Sequence, residues 1–393
     1  MAANTSVVIV GGGIGGLFLA NALTARDIDV RLYEQASRFS EVGAGVYLTP
    51  NSVRHLIRVG LGEAVDEFGA RVGDASRYYR WDGSEIAPVQ VTDSAGWNAT
   101  YGMHRADLVE LLRRALPEGV AHTAHRATGV EELGDRVRVD FEDGTSDEAD
   151  LVVGADGIHS VLRKLVHAES EPVFSGTAVY RGLVPRELLT DWRPDIWQMW
   201  LGPGKHFLSF PVRRGELINF VGFVPAHGVM RESWTAPGDP DELREEFAGW
   251  DPRIGELLSH VTTTFRWSLY DRDPIPVWTK GRLTLLGDAA HPMLPHLGQG
   301  ANQSIEDGMT LATLLAASDA DGIPGALETY ESLRRTRVAE VQLGARRNGM
   351  RYDSMDGDLE RRDAEIRAHA DFRRTLYDFD VLQQIDGALP GGR

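Results

Sequence analysis

The residue types and spacings in this chain suit two kinds of chemistry: holding a dinucleotide, and moving a proton beside a small ligand. Gly11, Gly13 and Gly16 follow the apolar run 7–10 in a Gly-x-Gly-x-x-Gly pattern, and Glu34 closes the next apolar run, 30–33. In such a pattern one glycine makes a tight turn, one leaves bare backbone for a pyrophosphate, and one lets helix and strand touch. Ile14 and Gly15 open the helix, whose free N–H groups and positive dipole end face the phosphates. Glu34, at the tip of the second strand, can accept both hydroxyls of an adenosine ribose. Strand, helix, second strand and terminal acid in one register make this a dinucleotide site.

Further groups of the same character follow. Ala44, Gly45 and Val46, at the end of a stretch that starts at Glu41 and leads into Tyr47, suggest backbone lying against something flat or charged. Arg105 opens a helix pattern with Leu108, Leu111 and Leu112 on its apolar face. Asp156 and Gly157 end a buried run, with Ser160 and Arg163 at helical spacing behind them. Asp288 ends a third buried run, where ligands sit in open α/β sheets. Gly298, Gly300, Ala301 and Asn302 then lead into a helix, again with backbone able to approach a ligand. No second Gly-x-Gly-x-x-Gly occurs, so a second tightly held dinucleotide has no site of its own.

The elements that position these residues read as an α/β fold. A Rossmann-like nucleotide domain of the glutathione-reductase type is expected over 1–173 and 265–325. An antiparallel-sheet domain is inserted at 174–264, and a helical region with charged, wet faces follows at 326–393. In the inserted sheet, period two puts His206, Leu208 and Phe210 on one face and Phe207 and Ser209 on the other. The turn at 211–215 is the clearest hairpin, and its Arg213 and Arg214 are expected to face water. The chain has 393 residues, no cysteine and a formal net charge of −17. The missing cysteines exclude disulfides and thiolate chemistry, and the net charge argues against a nucleic-acid partner. No apolar run approaches ~18 residues and no signal-like segment follows Met1, so a cytoplasmic protein without a membrane partner is expected. His122 and His125, without an acid partner of metal-site character, read as surface residues, and no metal site is expected.

Three signatures in this order resemble the single-component FAD-dependent aromatic hydroxylases: Gly11-x-Gly13-x-x-Gly16 with Glu34, Asp156-Gly157 with Ser160 and Arg163, and Gly287-Asp288 through His291, Pro295 and Gly300. Within that family, Ala44-Gly45, the run 180–185 and the stretch 293–300 look most like salicylate and hydroxybenzoate hydroxylases. The resemblance implies bound FAD, with Glu34 on the ribose and Arg105 reaching the phosphates. Asp288 would hold the ribityl or pyrophosphate part, and the amides of residues 300–302 would meet the flavin ring. It further implies NADH or NADPH as a transient donor, NADH being the expected one, with Asp156-Gly157 serving both nucleotides. His291 is expected to shape the FAD loop.

The chemistry implied is insertion of one oxygen atom from O2 into an electron-rich aromatic ring. A base near the phenol is then the useful residue. His206 is the expected base, matching the active-site histidine of hydroxybenzoate and hydroxynicotinate members. His296, beside Pro295, is its rival. Where those members tend to carry a tyrosine, this chain has Phe210, which leaves the regiochemistry open. Tyr47, Leu208, Phe210 and Arg181 are the expected substrate contacts, Arg181 as an anchor for a carboxylate. The expected substrate is a small aromatic acid, salicylate first, converted to catechol with loss of CO2. The competing readings are 3-hydroxybenzoate 6-hydroxylation, hydroxypyridine-carboxylate hydroxylation, a non-oxygenating flavin reductase or dehydrogenase, and a non-catalytic flavin-containing binding or regulatory protein. A monomer or a homodimer is expected.

Overall fold

The computed structural model describes residues 5–39, 44–167, 172–226, 236–355 and 359–388. Glu41, Val42 and Gly43 of the glycine-rich stretch lie outside the described residues.

The chain is organised around strand Ser6–Val10, buried along its whole length. It pairs in parallel with Asp29–Tyr33 on one side and Leu151–Gly154 on the other. Leu283–Leu285 extends the sheet in parallel beyond Leu151–Gly154, and Ala121–His122 beyond Asp29–Tyr33. A strand buried along its whole length demands cover on both faces, as in α/β sheets generally. Helix Ile14–Thr24 supplies one layer and is buried along most of its length. Helix Gly300–Ala316 packs beside it. A Cβ on Gly15 would lie 2.7 Å from Leu286 and 3.0 Å from Ser304, and one on Gly308 would lie 2.8 Å from Phe18. Early residues meet early and late meet late, so the two helices run parallel and start at the same end.

A second, eight-stranded sheet is mainly antiparallel. Its central strands are Val173–Pro185, Leu217–Pro225, Lys205–Val212 and Gln198–Gly202. Lys205–Val212 and Leu217–Pro225 form the expected hairpin, closed by a turn in which Arg213 and Arg214 take φ of 49° and 57°. Strands from either side of the 174–264 segment join this sheet. Thr264–Asp271 flanks Val173–Pro185, and Arg77–Arg80 pairs in parallel with Gln198–Gly202, bringing Glu85–Pro88 with it. One face packs Trp200, Phe207 and Phe220 against Leu243, Ile254 and Leu257 of helices Pro240–Glu246 and Pro252–Ser259.

The other face of this sheet meets strand Gly45–Leu48, loop 293–298 and helices Ile323–Tyr352 and Leu359–Asp378. The charges of these last helices are not confined to wet faces, as the sequence had suggested. Arg334, Arg362, Asp363 and Arg373 are buried. Arg213 does face outward, bound to Asp107, and Arg214 pairs with Glu216. His122 and His125 differ from the surface reading: both are half-buried, with His122 stacked on Tyr33 at 5.0 Å and His125 set edge-on to it.

Candidate functional site

The glycine loop after Ser6–Val10 is as tight as backbone allows. A Cβ on Gly11, whose φ is 114°, would fall 2.2 Å from the Ala155 carbonyl oxygen, and one on Gly16 would fall 2.0 Å from that of Gly11. Gly13 differs, since nothing lies within 4 Å of a Cβ there. The Glu34 carboxylate reaches back over the loop, accepting from the Gly12 amide at 2.7 Å and the Ala36 amide at 2.8 Å. Because helices Ile14–Thr24 and Gly300–Ala316 begin side by side, two sets of free N–H groups point into one groove. That is an anion site built from backbone.

The second and third motifs shape the far side of the groove. Asp156 turns its carboxylate onto its own loop, accepting from Val161 at 2.8 Å and Leu162 at 3.2 Å. Burial raises its pKa, against these hydrogen bonds. Arg163 is buried and donates to the carbonyls of Ala289 and Ala290 at 3.1 and 3.2 Å, so the second motif fixes the backbone of the third. Desolvation brings the Arg163 pKa down to about 10. Asp288 is open to solvent along the groove yet deep in the protein. Desolvation raises its pKa, while His291 and Arg105 pull it down, which places Arg105 within electrostatic reach.

Loop 287–299 is held by a buried ionic network. Asp307 accepts from the Gly287 amide at 3.1 Å, from His291 Nε2 at 2.6 Å and from Arg334 Nε at 2.7 Å. Glu306 binds Arg334 at 2.6 Å, Arg337 at 2.8 Å and Asn51 at 2.6 Å. Asn302 ties in the strand beneath: it accepts from Thr49 at 2.9 Å and donates to the carbonyls of Tyr47 at 2.9 Å and Gly298 at 2.6 Å. With its side chain spent on the scaffold, Asn302 has its helix-opening amide left for a ligand.

Beneath this loop the eight-stranded sheet offers a floor laid out in rows by strand register. Leu201, His206, Phe223, Val179 and Trp267 form one row. Tyr78, Met199, Leu208, Val221, Arg181 and Phe265 form the next. Phe210, Asn219 and Leu183 form a third. Gly45 must be glycine because its strand presses on that last row: a Cβ would sit 2.6 Å from the Phe210 ring and 2.7 Å from Asn219. Its amide donates to Asn219 Oδ1 at 2.7 Å, and its carbonyl accepts from Arg181 at 3.1 Å. Tyr47 stands over Phe210 at 6.0 Å and Trp197 at 6.3 Å, closing an aromatic wall.

His206 is fully buried in this floor. Its ring stacks on Phe223 at 3.9 Å, and Nδ1 lies 2.6 Å from Asp353 Oδ1. A carboxylate at Nδ1 requires a proton there, so in the neutral ring Nε2 is the lone-pair acceptor; it is buried and without a partner. His296 packs 5.3 Å from His206, and burial together with its neighbour pushes its pKa down to about 3. Two imidazoles thus lie side by side, only one of them backed by a carboxylate. Pro295, before His296, is exposed toward the groove.

Residues 4–344 match the family described as FAD binding domain. The chain is 42% identical over 364 residues to the 3-amino-4-hydroxybenzoate 2-monooxygenase PtnB3 of Streptomyces platensis, covering 90% of each. It is 39% identical over 374 residues to a salicylate hydroxylase of Pseudomonas putida, covering 88% of this chain and 86% of that one. A solved salicylate hydroxylase substrate complex superposes with a TM-score of 0.85 at 31% identity over 98% of both chains. The chain belongs to the FAD-dependent aromatic hydroxylases.

As an aromatic hydroxylase the chain uses FAD, and its groove fits that cofactor. Open space at Gly13, an acid over the loop, two helix starts and an arginine near Asp288 match a ribose–pyrophosphate–flavin chain in order. Bound FAD supplies the redox chemistry with NAD(P)H and O2; the residues described here bind, orient and hold a proton. The expected groove residues Gly11, Gly13, Ile14, Gly15, Gly16, Glu34, Arg105, Asp156, Asp288, Gly300, Ala301 and Asn302 lie along its walls. Gly45, Val46, Tyr47, Leu208, Phe210, His206, His296 and Pro295 gather where the groove meets the sheet floor. Arg181 sits in the floor over Trp267, bound to the Gly45 carbonyl rather than directed into open space.

Sequence reasoning missed Asp353, Asn219, Tyr352 and the pair Glu306 and Arg334. Asp353 follows the last residue of a 30-residue helix and reads locally as a cap. Asn219 is fully buried with Nδ2 unpartnered, and only the strand register puts it beside Phe210. The one available signal was the adjacent acids Glu306 and Asp307 in an otherwise uncharged helix, facing Arg334 and Arg337 at i,i+3 on the next helix.

Proposed function

We propose that this hydroxylase acts on a monocyclic phenolic carboxylate, with His206 as the base that draws the phenol toward phenolate. The observation that carries this is the His206–Asp353 pair, set among the rings of Phe223, His296 and Tyr352 with Nε2 unpartnered. An electron-rich ring carbon is what oxygen insertion needs, and a phenolate provides it. His296, with its pKa pushed down to about 3, is the poorer base and serves as the wall that keeps His206 dry. Tyr47, Leu208 and Phe210 sandwich the substrate ring. Glu34, Arg105 and Asp288 with the glycine loops hold FAD, and Asp156-Gly157 supports its loop.

Salicylate, hydroxylated at the carboxylate-bearing carbon to give catechol and CO2, is the first substrate proposed. 3-Amino-4-hydroxybenzoate is the second, favoured by the 42% identity to a monooxygenase of that name. In both, one oxygen atom enters the ring, the other leaves as water, and NAD(P)H, with NADH the proposed donor, supplies two electrons. The nucleotide domain at 1–173 and 265–325, the sheet domain at 174–264 and the helices at 326–393 form the proposed working parts. A monomer or a homodimer is proposed, in the cytoplasm. Among the described residues no helix is long and apolar enough to cross a membrane.

The test is product identity with each acid, enzyme, NADH and oxygen, read by chromatography with oxygen consumption measured in parallel. Hydroxylated product matching oxygen uptake supports the proposal. Hydrogen peroxide alone with every phenolic acid points to a non-oxygenating reductase, and no oxygen uptake at all to a binding protein. Gentisate from 3-hydroxybenzoate as the sole product, or product from a hydroxypyridine acid alone, moves the assignment to those substrates.

A further inference from the structure

Arg373, in helix Leu359–Asp378, is 5% exposed. Its Nη2 donates to the Tyr352 hydroxyl at 3.1 Å, and its Nε has no acceptor. No carboxylate among the described residues forms an ion pair with it. The groups its charge acts on are the phenols of Tyr78, Tyr352, Tyr377 and Tyr47. Two other buried arginines meet carboxylates, Arg334 through Glu306 and Asp307 and Arg362 through its neighbour Asp363, while Arg163 donates to the Ala289 and Ala290 carbonyls. A buried cation without a counter-charge is among the costliest arrangements a protein can hold.

The surroundings deepen the imbalance. The buried hydroxyls of Tyr47 and Tyr377 face each other without a well-formed hydrogen bond. Even if they pair, two hydroxyls share one bond and an O–H remains over. A cavity of about 10 Å³ borders the guanidinium between Tyr78, Gln90, Tyr352 and His369. That holds about one water, which solvates an edge of the arginine and brings no charge. The net charge is positive, and the space beside it takes no more than about one water. What completes such a chamber is an anion.

The chamber adjoins the proposed substrate pocket. Tyr47 is the residue that stands over Phe210, and the Tyr352 ring lies 5.2 Å from His206 while its hydroxyl meets Arg373. We propose that Arg373, with the hydroxyls of Tyr47 and Tyr352, anchors the carboxylate of the aromatic substrate, in place of the Arg181 expected from sequence. This rests on the phenolic-carboxylate reading and sharpens it. Tyr352 reaches from the base to the anchor, so hydroxyl and carboxylate belong at separated ring positions, meta or para. An ortho acid such as salicylate holds its carboxylate against the hydroxyl and fits less well, so the anchor reverses the order of the two substrates proposed above. 3-Amino-4-hydroxybenzoate has the para arrangement.

The test uses FAD-loaded wild type, Arg373→Met, Arg373→Lys and Tyr47→Phe, with benzoate and phenol as binding probes in calorimetry. Benzoate affinity should fall ~10²-fold or more in Arg373→Met, the scale of losing one partner of a buried charge pair, and recover in part in Arg373→Lys. Phenol affinity should stay within about threefold, since it makes no use of the charge. Tyr47→Phe keeps the charge and should weaken benzoate about tenfold, the worth of one hydrogen bond to a charged group; it decides the matter if Arg373→Met does not fold. In turnover, the KM for 3-amino-4-hydroxybenzoate should rise in Arg373→Lys while 2-aminophenol, its decarboxylated analogue, is unaffected. Equal losses for benzoate and phenol, or unchanged benzoate binding, overturn the anchor. Wild type that binds benzoate but hydroxylates no phenolic acid overturns the functional reading and leaves the anchor standing.

Discussion

Replacing Asp353 tests the base assignment most directly. Its carboxylate, itself partly exposed, lies 2.6 Å from Nδ1 of a fully buried His206, so the bond is short and charge-assisted. Such a bond is worth about 1.5–3 kcal/mol. It fixes the tautomer with its acceptor nitrogen outward and stabilises the imidazolium formed when the phenol gives up its proton. Both effects act in the proton-transfer step, so at about 1.4 kcal/mol per tenfold their loss slows hydroxylation by roughly 10- to 100-fold. Asp353→Asn can still accept through its amide oxygen and keep the tautomer, and belongs near the lower bound. Asp353→Ala removes the partner altogether and belongs near the upper. FAD should remain bound with an unchanged absorption spectrum, because Asp353 lies on a different segment from the glycine loops. Product formed per oxygen consumed is the assay, run from pH 6 to 10. With the base weakened, the deficit should shrink toward about pH 10, where a phenol ionises unaided. An Asp353→Ala enzyme with the wild-type rate and pH profile would refute the role of the pair.

Gly16→Ala puts a Cβ 2.0 Å from the Gly11 carbonyl oxygen, so the purified variant should be colourless or insoluble; a yellow, FAD-saturated Gly16→Ala protein contradicts the loop geometry. Arg334→Met strands Asp307 and Glu306 in the interior and should cost about 3–5 kcal/mol in urea unfolding, with Arg337 still partnering Glu306; an unchanged midpoint would show that the network carries no stability. Acid should destabilise the fold in two stages. Burial first, then neighbouring charges, leaves His296 and His55 with pKa values of about 3, so their contribution is whole above ~6.5 and drains as pH falls toward 3. Burial would raise Glu306, but Arg337 and Arg334 hold it at about 2, so its contribution is lost from ~4.5 downward; urea midpoints flat from pH 7 to ~4.5 would contradict the histidine stage, and midpoints flat from there to about 2 the glutamate stage.

The cofactor half of this protein was legible in its sequence because its chemistry is local. A turn that needs Gly11, a contact that needs Gly16 and an acid at Glu34 all fall within one strand–helix–strand unit. The floor was legible in part: alternation puts His206, Leu208 and Phe210 on one face but cannot name the strands alongside. Register supplies Phe223, Val221 and Asn219, and no periodicity encodes register between distant strands. The same gap hides Arg77–Arg80, whose partner Gln198–Gly202 comes more than a hundred residues later. The C-terminal helices misled in the opposite direction. Their arginines and acids look solvated when each helix is read alone, yet Arg334 finds its acids on the preceding helix and Asp353 finds its histidine 147 residues away.

This division has a consequence for how the site can change. The groove depends on backbone approach and on glycines that admit no side chain, so few substitutions there keep the cofactor. The floor and its wall are made of side chains alone: Met199, Phe210, Trp197 and Tyr352 pack there in one apolar cluster with Leu208 against it, and in the proposed site they border the substrate. Altering them reshapes the pocket by a methylene or a hydroxyl at a time, worth about 1–3 kcal/mol of discrimination each. The two charged devices set the limits on that freedom. In the proposed site His206 with Asp353 reads a hydroxyl at one end and Arg373 an anion at the other. Phe210→Tyr should therefore shift which ring carbon is oxidised, read as a change in product regiochemistry, while the requirement for a carboxylate persists. A Phe210→Tyr enzyme that accepts phenol as readily as hydroxybenzoates would mean that the two ends are not read independently.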